Sequence, residues 1–141
     1  MIALNKEAVI ELINNSPKKF FVGALEDSKI SDIEKRLNVK LPESYKWFLR
    51  EYGTGGVFGI EILGGGLREV PTCVRETEEW REYGLPMEFV VIQNYGSGVY
   101  CLDTSRLANN ECPVIDWEQD DEERIYEYEN FYTFLVEQFS K

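Results

Sequence analysis

Leu41-Pro42-Glu43-Ser44-Tyr45-Lys46-Trp47-Phe48-Leu49-Arg50-Glu51-Tyr52-Gly53 is the most sharply punctuated stretch of the chain. Proline suits the first turn of a helix, because its missing N–H would have no intrahelical partner there. Tyr45, Phe48, Leu49 and Tyr52 recur at i, i+3, i+4 and i+7, which places four large apolar side chains on one helix face. Gly53 stands where a left-handed residue closes a helix without a Cβ penalty. A helix with so heavy an apolar stripe needs a sheet or other helices to cover it.

Upstream, Ala8, Val9, Leu12 and Ile13 keep helical spacing, so about Lys6 to Asn15 reads as a short amphipathic helix. Ser16-Pro17 stops it, and Phe20-Phe21-Val22 reads as extended. A second helix is expected from Ser28 or Ser31, with Ser31 and Glu34 as a capping box and Ile30, Ile33 and Leu37 as its buried stripe. Downstream the period changes. Val57 to Leu63 is rich in β-branched and aromatic residues and ends in Gly64-Gly65-Gly66, which predicts a strand and a turn. Thr72 is expected to cap a charged helix over about Cys73 to Tyr83, closed by Gly84.

Strands are then expected at Phe89 to Gln93 and Val99 to Leu102, joined by the hairpin loop Asn94-Tyr95-Gly96-Ser97-Gly98, and again at Pro113 to Trp117. A last helix carries Phe131, Phe134, Leu135 and Phe139, with Asn130 as its cap. No internal repeat and no long linker divides the chain, so residues 1–141 read as a single domain. Helices first, then strands broken by one helix, then a closing helix indicate an α+β fold with a mostly antiparallel sheet.

The chain length supports this. A domain of 141 residues hides roughly 68–70% of the surface its unfolded chain exposes, enough for a core without metal or disulfide staples. Cys73, Cys101 and Cys112 are an odd number with no Cys-x-x-Cys pair, which favours reduced thiols in a cytoplasmic protein. The first residues turn polar too early for a signal peptide, and the longest apolar run, Phe89 to Ile92, is far too short for a bilayer. The expectation is a soluble cytoplasmic chain.

Charge is the dominant compositional feature. Fifteen Lys and Arg against 26 Asp and Glu give a net charge of −11. A field of that sign repels nucleic acid phosphates and anionic membranes, and it attracts basic partners.

Few parts of the chain suit catalysis. There is no histidine, which removes Ser-His-Asp and Cys-His nucleophile systems and every His-containing metal site. Neither glycine cluster, Gly53-Thr54-Gly55-Gly56 nor Gly64-Gly65-Gly66, is followed by the Lys-Ser or Lys-Thr of a phosphate loop. Gly96-Ser97-Gly98 lacks the spacing of a nucleophile elbow. Asp116, Glu118 and Asp120 mimic the opening of a calcium loop, but Asp121 occupies the position that needs glycine. No enzyme activity, cofactor or metal is therefore expected.

Two acidic segments stand out as docking surfaces. One comprises Glu76, Glu79 and Glu82 beside Trp80, on the helix that ends near Tyr83. The other runs Trp117-Glu118-Gln119-Asp120-Asp121-Glu122-Glu123. Aromatic side chains bring rigid contact area and carboxylates steer a basic partner. The plainer readings are a Trp80 that only anchors its helix to the sheet and a solvated acidic loop at 118–123.

The run from Ile33 to Leu49, with Leu41-Pro42-x-x-Tyr45-x-x-Phe48-Leu49 at its centre and Tyr52-Gly53 and Gly55-Gly56 after it, resembles the signature of the SUKH superfamily. Tyr100-Cys101-Leu102-Asp103-Thr104, Cys112-Pro113-Val114-Ile115-Asp116-Trp117 and Asn130-Phe131-x-x-Phe134-Leu135 extend the likeness to most of the chain. Many members carry an asparagine before the glycine pair where Thr54 stands here, which alters the turn and not the fold. The resemblance implies a single domain with helices packed on a curved sheet and no catalytic role. It further implies bacterial immunity against a polymorphic or contact-dependent toxin, or a regulatory role like that of fungal relatives. The leading expectation is an immunity protein for a cognate toxin domain, a basic nuclease, working as a monomer or weak dimer. The alternative is an intracellular regulatory or scaffold module without a toxin.

Overall fold

The computed structural model describes residues 5–118 and 127–140. In chain order these form α1 (Lys6–Asn15), β1 (Lys19–Phe21), α2 (Asp27–Leu37), α3 (Glu43–Glu51), β2 (Gly55–Val57), α4 (Thr72–Arg81), β3 (Phe89–Asn94), β4 (Val99–Asp103), β5 (Val114–Trp117), β6 (Glu127–Tyr128) and α5 (Phe131–Phe139). The class is α+β, and every strand pairing is antiparallel. β3-β4-β5-β6 make one sheet in sequence order, and β1-β2 make a separate small one.

α3 is the keystone, for the reasons its sequence announces. Tyr45, Phe48 and Leu49 are fully buried, and Tyr45 donates its hydroxyl proton to the carbonyl of Leu63 at 2.6 Å. Phe131 of α5 meets both Tyr45 and Phe48, with ring centroids 5.2 and 5.7 Å away. Gly53 takes φ 76°, and a Cβ there would lie 1.9 Å from the carbonyl oxygen of Gly23, so only glycine fits this exit. Pro42 is the N-cap residue and offers no side-chain cap. Glu111 supplies one from a distant loop: it accepts the Ser44 backbone N–H at 3.0 Å and the Ser44 hydroxyl.

Helices flank both faces of the larger sheet. Because side chains alternate along a strand, Tyr100 and Trp117, which lies opposite Val99, face opposite ways. Phe134 of α5 packs against Tyr100 and Tyr128 at 5.0 and 5.3 Å on one face. α4 lies along β3 on the other, where the Thr77 hydroxyl accepts the Val91 N–H at 2.9 Å. A bulge between Val91 and Gln93 bends β3 at this point. Cys73, Cys101 and Cys112 are buried and form no disulfide.

Three local expectations are corrected. α2 begins at Asp27, so Ser31 is inside the helix and Ser31 with Glu34 is not a capping box; Glu34 instead accepts the Leu41 N–H at 2.8 Å. The stretch 57–63 is not one strand. β2 ends at Val57, and Phe58 and Gly59 take φ 52° and 83° in a tight turn closed by the Ile60 N–H on the Val57 carbonyl at 3.0 Å. Thr72 is the first residue of α4 and not its cap; its hydroxyl accepts the Gly64 N–H at 2.8 Å and so ties the glycine turn to the helix start. The other predicted elements form within a residue or two of their expected bounds.

Candidate protein-binding surface

The carboxylates of α4 divide by partner. Glu78 is committed to Arg36 of α2 by two hydrogen bonds of 2.9 Å. Glu76 accepts the Asn94 side-chain amide at 3.0 Å. Glu79 and Glu82 are exposed and have no ion pair among the described residues. Trp80 lies half-buried between them, with its ring 6.1 Å from that of Tyr83, whose side chain is more than half exposed.

Trp117 and Glu118, the described start of the second acidic segment, lie at the same end of the sheet as the first. Trp117 is 4% exposed and packs edge to face on Trp80, with ring centroids 5.9 Å apart. It is therefore the floor beneath the α4 acids and not a side chain that a partner could grip. Asp116 and Glu118, its neighbours in β5 and just beyond, point to the other face by strand alternation. The Tyr95 hydroxyl donates to Asp116 and lies 3.4 Å from a Glu118 oxygen. Burial and these two carboxylates push the Tyr95 phenol well above its ordinary range, so it stays a neutral donor.

The turn Asn94 to Gly98 connects the two groups. Asn94 reaches Glu76 with its amide and accepts the Gly96 N–H with its carbonyl at 2.8 Å. Gly98 lets the turn close against β5, since a Cβ there would lie 2.8 Å from the Trp117 carbonyl oxygen. The result is a rim that runs from Glu79 and Glu82 through Glu76, Asn94 and Tyr95 to Asp116 and Glu118. Sequence reasoning named Glu76, Glu79, Glu82 and Glu118 but missed Asn94 and Tyr95, which read as hairpin punctuation. Asp120, Asp121, Glu122 and Glu123 lie outside the described residues.

Chemically, such a rim offers the exposed carboxylates of Glu79 and Glu82, the hydrogen-bonded ones of Glu76, Asp116 and Glu118, and aromatic edges to ammonium and guanidinium groups. Among the described residues no cluster of His, Cys, Asp or Glu is assembled to hold a metal ion. Three surface clefts each carry a single carboxylate, Glu61, Glu34 or Glu88, and so lack the acid pair of a glycosidase-type site. No helix among the described residues is long and apolar enough to cross a membrane.

This arrangement defines an α+β domain whose antiparallel sheet is covered by helices on both faces. The family model described as SUKH_5, SMI1-KNR4 cell-wall, matches residues 6–140, and the chain belongs to that family. The family includes toxin-immunity proteins. A crystal structure of a protein from Pseudomonas syringae pv. tomato shares the fold, with a TM-score of 0.70 at 19% identity, covering 92% of this chain and 94% of that one.

Proposed function

We propose that the protein is an immunity protein that binds a cognate toxin domain, a basic nuclease in the simplest case, and blocks its substrate groove. The observation that carries this reading is that Glu76 of α4 and Asp116 of β5 are both tied to the Asn94–Gly98 turn, in a chain of net charge −11. Carboxylates on such a rim take the place of nucleic acid phosphates against lysine and arginine, and they speed association over long range. Tyr83 and Tyr95 give the contact exposed aromatic area at low entropic cost. The chain needs no catalytic group for this task.

The test is co-expression with any toxin domain encoded beside its gene. Rescue of growth and co-purification are expected, and charge reversal at Glu79 and Glu82 is expected to weaken both. Failure to rescue or to bind would remove the toxin reading. The second reading, a regulatory scaffold without a toxin, draws on the cell-wall description of the matching family model. Capture of a host protein by the same rim, with no toxin gene nearby, would favour it.

A further inference from the structure

The small sheet at the far side of α3 carries a second surface. β1 pairs with β2 through Lys19↔Val57, Phe20↔Gly56 and Phe21↔Gly55. The Phe58 N–H bonds to the Lys18 carbonyl at 3.0 Å, and the Val22 N–H bonds to the Thr54 carbonyl at 2.8 Å. Antiparallel hydrogen bonding alternates, so residues 18, 20 and 22 face β2, and the N–H and C=O groups of Lys19 and Phe21 face away from it. Those outward groups have no backbone partner among the described residues. Phe21 turns its ring inward onto Tyr52, at 4.7 Å. Phe20 points the other way and is 73% exposed.

Next to Phe20, the turn after β2 holds Phe58 at φ 52° and half exposed. Left-handed backbone at an aromatic residue is strained by roughly 1–3 kcal/mol, and turns of this kind normally use asparagine or glycine. Phe20, Phe58, Lys18 and Lys19 border a cleft of about 460 Å³ with Glu61 at its margin. Neither lysine is ion-paired among the described residues, in a chain with an excess of acids, although the Lys19 ammonium donates one hydrogen bond to the Ile13 carbonyl at 3.2 Å. Unpaired strand edges are usually blunted or covered, because they recruit other strands.

We propose that the outer edge of β1 receives an extended segment of a protein partner whose side chains alternate aliphatic and acidic. The outward N–H and C=O groups of Lys19 and Phe21 would pair with its backbone, Phe20 and Phe58 would cover its aliphatic side chains, Lys19 on the opposite face of β1 would meet its carboxylates, and Lys18 would add positive charge at the end of the strand. This site is independent of the acidic rim and has the opposite charge preference.

The test is an NMR titration of the full chain with a capped peptide of alternating valine and glutamate, with a valine–lysine peptide as control. Binding is expected to shift the Lys19 and Phe21 amides, to protect both from hydrogen exchange, and to weaken with salt. The double change Lys18→Glu with Lys19→Glu, and separately Phe20→Ser, should each weaken binding by about tenfold or more while leaving the fold intact. Lys19→Pro should abolish protection at the edge. Absence of binding, equal binding of the lysine peptide, or shifts centred on the rim would overturn the proposal. So would a dimer that Lys19→Pro dissolves, since the edge would then belong to a second copy.

Discussion

Trp80 of α4 and Trp117 of β5 meet edge to face, with ring centroids 5.9 Å apart and planes at 86°. This contact brings the acids flanking Trp80 and those flanking Trp117, Asp116 and Glu118, to one end of the sheet across 37 positions of the chain. It predicts a measurable coupling. In a double-mutant cycle of Trp80→Leu and Trp117→Leu, read by urea denaturation, the double variant should lose about 0.5–1.5 kcal/mol less than the sum of the two separate losses. Strict additivity would mean that the two rings are merely neighbours.

The Glu111 cap on α3 makes a second prediction. Glu111→Ala removes the acceptor of the Ser44 N–H and hydroxyl, and stability should fall by about 1–2 kcal/mol. Burial holds the Glu111 carboxyl above its ordinary range despite the opposing pull of the Ser44 hydrogen bonds. A raised folded pKa means that the native state keeps this proton better than the unfolded chain does. The contribution is thus complete below the unfolded pKa and declines as pH rises through the folded one. Relative to Glu111→Gln, the natural protein should lose stability as pH is raised from 4 to 7. A difference that grows in the other direction would contradict the assignment.

Phe58 holds a left-handed backbone that asparagine adopts with less strain. Phe58→Asn relieves the left-handed φ and should stabilise the protein by about 1 kcal/mol, net of the lost half-buried ring. Phe58→Ala keeps the strain and should give no gain. Thermal unfolding of the two variants distinguishes these outcomes.

The thiols should be inert while the protein is folded. Burial pushes Cys73 up to about 11 and Cys112 up to about 12, and Cys101 is fully buried. Ellman's reagent at pH 8 should find no fast-reacting thiol in the native protein and three after denaturation in guanidinium. One fast native thiol would show that its cover opens readily.

Much of this architecture is legible in the sequence, and the failures have physical causes. α3 can be read because its period, its proline and Gly53 are local signals that agree with the packing. The turn at Phe58-Gly59 is hidden, because β-branched and aromatic neighbours advertise a strand and a phenylalanine gives no sign of left-handed backbone. Ser31 and Glu34 have the spacing of a capping box, but Glu34 is drawn to Leu41 and Lys46 by tertiary placement. In the sequence the rim is visible only as two separate acidic segments. Its unity depends on Asn94 and Tyr95, whose links to Glu76 and Asp116 arise only when the hairpin folds beside α4 and β5.

On the proposed function, this rim steers a basic toxin domain. The most direct test of this steering is the association rate of that domain with the natural protein and with a Glu79→Lys, Glu82→Lys variant, followed by stopped flow across a range of salt. The natural protein should associate fast at low salt and slow steeply as salt rises. The variant should start about tenfold or more slower and depend far less on salt, with dissociation changed less than association. The same rate and the same salt slope for both proteins would contradict the account.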